Sequence, residues 1–308
     1  MKILVIGATG FVGGAVARHL AGAGHQVSGL ARSVASEARL REQGVLPVPG
    51  DLEAGLEEVI ATALRHNGVV FAAQPDPEEE LPTVDAFLAA FAGTNKTFVF
   101  TSGSGVLLQR TNGAWSPDTF AEDDDFAVEP LAVERKTAED HVRASARDGV
   151  RGMVIRPGMI WGPGDHGYVA MAYQSVAAIG AAGYVGAGLN VYSHVHVDDV
   201  VRLFEAAVLR GVAGALYQAV AGETPTRWIA EAVAADLGVG TRSLDPEGAV
   251  EVWGEFGALI AGASSRIRAP RSTNELGWTP TRFDMLESVG EPEHRARAHQ
   301  VPHVQSEP

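Results

Sequence analysis

Three glycines at a fixed interval are the first residues in this chain with chemistry to offer. Gly7, Gly10 and Gly13 stand in "GATGFVGGAV", after an apolar run and at the head of an alanine-rich one. A strand that ends in such a loop and re-enters a helix can bring its backbone against a pyrophosphate. The first two glycines permit the tight turn and the close approach, and the third lets the helix lie on the sheet. Thr9, Phe11 and Val12 complete the loop, whose helix N-terminus adds amide donors and a partial positive charge. No Gly-Lys-Ser/Thr follows, so the loop suits a dinucleotide and not the P-loop of a nucleotide triphosphate site.

The choice of dinucleotide falls at the end of the second strand. An NAD site places a carboxylate there to hold the ribose 2′-hydroxyl. This chain reads "GLARSVAS", with Arg32 and Ser33 where the acid would stand. A guanidinium pairs with a 2′-phosphate, so NADP(H) is expected ahead of NAD(H). Asp51 and Leu52, in "PGDLE", fall where the adenine edge would lie, and Ala72, Ala73 and Gln74 where the ribose would follow the fourth strand.

The elements that must position these residues alternate regularly. Short β-branched runs at 2–7, 26–32, 45–50, 68–73, 96–102 and 151–158 are separated by helical patterns near 11–23, 33–43, 53–66, 82–92 and 131–147. Strand, helix, strand at this rhythm predicts an α/β fold, a doubly wound parallel Rossmann sheet with right-handed crossovers. The rhythm loosens after residue 160. Residues 1–165 and roughly 190–220 are therefore assigned to the nucleotide-binding domain, and 166–189 and 221–290 to a smaller C-terminal substrate lobe. The stretch 291–308, "EPEHRARAHQVPHVQSEP", lacks apolar periodicity and reads as a disordered tail.

Composition narrows the partners. The 308 residues contain no cysteine, and their formal net charge is −14. Disulfides and thiolate metal sites are excluded, and nucleic acid and anionic membrane are disfavoured by repulsion. No signal-peptide core or spanning segment is visible, and the chain reads as cytoplasmic. The partner expected is a small molecule; a homodimer is an assembly that the sequence leaves undecided. His194, His196 and Asp198 alternate along one strand in "HVHVDD", a spacing a metal could use. The aspartates read better as the start of a helix, and no metal is expected.

Taken in order, "GATGFVGG", "GDLE", "FVFTSGSG", "VIRPGMIWGPG", "HVHVDDVVRLF" and "NELGWTP" resemble the extended short-chain dehydrogenase/reductase superfamily, in its NAD(P)-dependent epimerase/dehydratase-like branch. The likeness runs over about residues 1–290. It implies hydride transfer at the nicotinamide, a serine or threonine after the fifth strand, and a Tyr-x-x-x-Lys pair on the next helix. The serine position is met in "TSGSG" by Thr101, Ser102 and Ser104, and Pro157, Gly158 and Met159 fall where relatives approach the nicotinamide.

The tyrosine is missing from "PLAVERKTAED". Aligned on Lys136, its position is Ala132; aligned on Glu139, the cation becomes Arg135 and the tyrosine position Leu131. Three explanations stay open. Ser104, Tyr168 or His166 supplies the proton; the substrate or water carries it; or the chain binds NADP(H) without turnover, as a redox sensor. The leading expectation is an NADP(H)-dependent oxidoreductase that reduces a carbonyl or conjugated double bond. Sugar-nucleotide epimerase or dehydratase chemistry is the alternative enzyme. Trp115, Trp161, Trp253 and Phe256 are candidates to wall an apolar cleft or to fill the core.

Overall fold

A computed structural model describes residues 1–299. The six expected strands form, as β1 (Lys2–Ile6), β2 (Gln26–Ala31), β3 (Leu46–Pro49), β4 (Gly68–Phe71), β5 (Thr97–Thr101) and β6 (Arg151–Pro157). The central strands β1, β4, β5 and β6 are apolar on both faces and buried on both, while β3 at the edge is partly exposed. A seventh strand, β10 (Leu216–Ala219), joins them in one parallel sheet ordered β10-β6-β5-β4-β1-β2-β3. β1 is paired on one side with β2 (Ile3 opposite Val27) and on the other with β4 (Ile3 opposite Gly68). The connections run outward in opposite directions from that point. The crevice where a doubly wound sheet takes its ligand therefore opens beyond the carboxyl ends of β1 and β4.

The intervening helices are α1 (Phe11–Gly22), α2 (Val34–Glu42), α3 (Leu56–Ala63), α4 (Pro77–Phe91) and α5 (Val133–Ala144). The helix expected from 82 starts a turn earlier. Pro77 occupies its first turn, where a missing N–H has no partner to lose, and Pro82 is carried inside. On one face of the sheet, Phe71 and Phe98 meet Phe87 and Phe91 of α4 and Phe100 packs on Phe71, with ring centroids 5.8–6.4 Å apart. Each buried ring contributes about 1.5–3 kcal/mol, so this cluster anchors α4 and fixes the direction in which β4 and β5 leave the sheet.

Beyond β6 the chain makes β7 (Met159–Trp161), α6 (Tyr168–Ile179), β8 (Ala182–Val185), β9 (Val191–His196) and α7 (Val197–Arg210). After β10 come β11 (Gly222–Pro225), α8 (Thr226–Leu237), β12 (Thr241–Leu244), α9 (Pro246–Gly262), α10 (Pro270–Leu276) and α11 (Pro292–Arg297). β9 lies between β7 and β11 in a three-stranded sheet, and β12 pairs with β8. α7 returns to the main sheet and packs on α1 through buried Val200, Leu203, Phe204 and Ala207.

The expected disordered tail is corrected over its first part. Residues 292–297 form α11, with His294 buried against Tyr173 and Arg295 paired with Asp236. The helix is held by these polar anchors and not by an apolar stripe, which is why hydrophobic periodicity misses it. The remainder of that tail, 300–308, lies outside the described residues.

Candidate functional site

The glycine loop leaves β1 with Gly7 at φ +85°, in the left-handed region. A Cβ on Gly7 would stand 2.4 Å from the Ala72 carbonyl oxygen, and one on Gly13 would stand 2.3 Å from that of Gly7. Both positions thus require glycine on steric grounds: one lets the loop touch β4, the other lets α1 touch the loop. Gly10 caps α1 without a side-chain hydrogen bond, so the first-turn amides stay available to an anion.

A groove of about 800 Å³ runs from this loop to the start of α2. Among its walls are Gly7, Thr9, Gly10, Phe11 and Val12 on the phosphate side, and Arg32, Ser33, Asp51 and Leu52 at the far end. Ala72, Ala73 and Gln74 line the β4 side. The volume falls in the range of small-molecule sites, and a dinucleotide fits the cradle that the two obligatory glycines leave open. Ser33 is also structural: its hydroxyl accepts from Ser36 N at 3.2 Å, while Ser36 Oγ accepts from Ser33 N at 3.0 Å. Asp51 accepts from the backbone amides of Glu53 and Ala54, which lower its pKa, and the Arg32 charge adds to the effect. Sequence reasoning missed Ser36 and Arg39, which also line the groove. Their spacing in the first turns of α2, on the face that carries Ala35, is the signal that could have found them.

The cluster where β5 ends is built differently, and Thr101, Ser102, Ser104, Arg135 and Lys136 do not line the groove. Where β5 ends, Thr101 Oγ1, Ser102 Oγ and Ser104 Oγ are buried with no hydrogen-bond partner among the described residues. An unpaired buried hydroxyl costs about 1–3 kcal/mol, which makes these three side chains candidates for a ligand contact. α5 turns Arg135 towards them. Its guanidinium pairs with buried Glu80, reaches the Thr101 carbonyl oxygen at 3.5 Å and lies 5.9 Å from the Phe100 ring. Burial raises the Glu80 pKa, and the Arg135 charge works against that rise.

Lys136, preferred in the first alignment, instead points along the helix surface to Asp140 at 2.6 Å. The side-chain geometry sets Lys136 and Arg135 on different faces of α5. Glu139 forms a buried pair with Arg156 of β6, so that face of α5 points to the sheet, and Arg135 lies one turn back on it. With Arg135 as the cation the tyrosine position is Leu131, half exposed, while Ala132 is buried with Val106, Leu107 and Ile267.

The remaining candidates are dispersed. Tyr168 is buried in the lobe, its hydroxyl donating to the Ile260 carbonyl at 2.7 Å, and burial raises its pKa well above the ordinary value. It is not a free donor. His166 is exposed, with its pKa lowered mainly by partial burial of the ring. Pro157 and Gly158 lie at the β6–β7 junction, where a Gly158 Cβ would meet the Ser193 carbonyl at 2.2 Å. Met159 packs towards the lobe beside Gly167. None of these three lines the groove.

Trp161 is core, Trp115 and Phe256 are exposed, and Trp253 donates to the Met171 carbonyl at 3.0 Å beside a cavity of about 20 Å³. His196 caps α7 by accepting from Asp198 N at 3.1 Å. No group of three metal-ligating side chains occurs among the described residues, nor any helix long and apolar enough to cross a membrane.

A parallel sheet with a glycine-bounded groove at its switch point defines a Rossmann-type dinucleotide fold. The chain belongs to the NAD dependent epimerase/dehydratase family, whose model matches residues 3–220. An uncharacterized protein of Schizosaccharomyces pombe is 30% identical over 93% of this chain and 97% of the relative. The 2-alkyl-3-oxoalkanoate reductase of Stenotrophomonas maltophilia is 31% identical over 65% of this chain and 62% of that enzyme. Among solved structures, dTDP-glucose 4,6-dehydratase of Bacillus anthracis in complex with NAD superposes with a TM-score of 0.73 at 18% identity, covering 94% and 95% of the two chains. At that identity the likeness speaks for the fold.

Proposed function

We propose that this protein is an NADP(H)-dependent oxidoreductase that reduces a carbonyl or a conjugated double bond of a small organic molecule. The observation that carries the cofactor assignment is the far wall of the groove. Arg32 and Arg39 both line it, and the end of β2 presents no carboxylate. Two guanidiniums there suit a 2′-phosphate and offer a plain 2′-hydroxyl no charge-specific partner. The α1 amides would hold the pyrophosphate, and Arg135 would lie nearest the nicotinamide ribose. Bound and reduced, the nicotinamide supplies hydride. Ser102 and Ser104 would hydrogen-bond the substrate oxygen, fixing its orientation and stabilising charge as it develops. The reductase name of the bacterial relative agrees with reduction of a carbonyl.

NADPH consumption tests the reading, measured with and without a panel of aryl ketones, enones and quinones. Acceleration by at least one carbonyl or enone is expected. Tight binding of NADPH and NADP⁺ with no consumption across the panel would favour a dinucleotide-sensing protein instead.

A further inference from the structure

The chain has lost the phenol that its family resemblance places before the α5 cation, yet a second phenol stands at the same β5 exit. Tyr192 lies on β9, and its hydroxyl would be 3.2 Å from a Cβ built on Gly105. Gly105 directly follows Ser104, so absence of a side chain there makes the room into which this hydroxyl projects. The approach is locked from a third segment. Tyr192 bridges Ser265, Ser265 N donates to the Val191 carbonyl at 2.9 Å, and Ser265 Oγ donates to the Ser104 carbonyl at 2.6 Å. β9, the 264–267 segment and the β5 exit are thereby held as one unit.

The ring is 5% exposed and packs edge-on against Tyr168, with centroids 6.1 Å apart. Tyr168 directs its hydroxyl to Ile260; Tyr192 directs its own to the serine segment. The hydroxyls of Ser104, Tyr192 and Ser265 thus meet just beyond β5, where Ser104 and Ser265 act on the Tyr192 hydroxyl, and Ser102 precedes them in the same segment.

We propose that Tyr192 is the proton donor of the reduction, taking from β9 the role of the absent α5 tyrosine. This rests on the oxidoreductase reading above. The carbonyl carbon gains a hydride, which a reduced nicotinamide supplies. The carbonyl oxygen gains the proton of Tyr192 Oη as the O–H bond breaks, and the phenolate recovers a proton from solvent. The products are an alcohol and the oxidised nicotinamide. Burial pushes the Tyr192 pKa up to about 12, against the opposing effect of the Ser104 and Ser265 hydroxyls. The phenol therefore keeps its proton at neutral pH, as a donor must.

Two measurements test this. With the ketone that turns over fastest in the panel, Tyr192→Phe should lower kcat by about 10²- to 10⁴-fold. It should leave NADPH affinity within about twofold, a change too small to signal a lost contact. Tyr168→Phe, a change in the adjoining ring, should leave kcat unaltered. Unchanged turnover in Tyr192→Phe overturns the proposal.

The second measurement does not need a substrate. Protein carrying 3-fluorotyrosine at position 192 is titrated by ¹⁹F NMR with NADP⁺ bound and with NADPH bound. A phenol beside the nicotinamide should ionise at lower pH with the cationic oxidised ring present. Identical titrations with both dinucleotides bound remove Tyr192 from the site while leaving the functional reading intact. Failure of either dinucleotide to bind removes both.

Discussion

The two ends of the crevice are made by different means. The dinucleotide groove comes from short consecutive stretches at the ends of β1, β2, β3 and β4, each fixed by local turns or by the neighbouring strand end. Gly7 against Ala72 and the Ser33–Ser36 capping pair are examples. The proposed catalytic end gathers Ser102 and Ser104 from just after β5, Arg135 from α5, Glu80 from α4, Tyr192 from β9 and Ser265 from beyond α9. Distances along the chain exceed 160 residues, as in the Ser265–Ser104 contact. A groove of the first kind can keep its ligand class while its surroundings change. A site of the second kind can replace one donor with another, because any element ending over β5 can deliver a side chain to it.

The largest effect is expected where the cation of α5 is removed. Arg135→Ala leaves the Glu80 carboxylate buried without its partner, and breaking a buried pair costs about 3–5 kcal/mol. Lys136→Ala dissolves a surface i, i+4 pair worth less than about 0.5 kcal/mol. Urea unfolding of the two variants should differ accordingly, with turnover lost in the first and kept in the second. Equal effects, or a larger one at Lys136, would return α5 to the other register and break the contrast between the two ends.

The same contrast explains what could be read from the sequence. The doubly wound sheet was legible because β-branched runs and helical patterns alternate regularly, and the groove because its glycines and Arg32 sit at strand ends. Arg39 needed only helical spacing to be found. Tyr192 could not be found in this way. Within "VYSHVH" it looks like any aromatic on a buried strand, and its meeting with Gly105 depends on how β9 crosses β5. The choice between Arg135 and Lys136 likewise required the Glu139–Arg156 pair. α11 was missed because ion pairs and a buried histidine hold it.

Acid should disturb the catalytic end before the groove. His194 shares β9 with Tyr192, and burial pushes its pKa down to about 4, while Asp284 and Glu223 pull the other way. Its Nε2 lies 3.2 Å from Thr224 Oγ1. Below the ordinary value of 6.5 the unfolded chain binds a proton that the folded chain refuses. Stability present above pH 6.5 should therefore fall as the pH drops towards about 4, by on the order of 3 kcal/mol in all. His194→Asn should flatten that part of the profile, as followed by thermal unfolding between those limits. His294, on α11, has the opposite sign: the Asp165 carboxylate, 3.6 Å from its Nε2, raises its pKa. Its contribution is complete below 6.5 and is lost as the pH rises through the raised value. An unchanged acid slope in His194→Asn would mean that β9 is not the acid-sensitive strand.

Equilibrium binding of NADPH and NADH to the wild-type protein bears most directly on the central claim. A charge-assisted contact to the 2′-phosphate is worth about 1.5–3 kcal/mol, so NADPH should bind roughly ten- to a hundredfold more tightly. The gap should shrink in Arg32→Ala or Arg39→Ala and close when both are replaced, with NADH affinity little altered throughout. Equal affinities in the wild type, or a preference for NADH, would contradict the assignment of the groove to NADP(H).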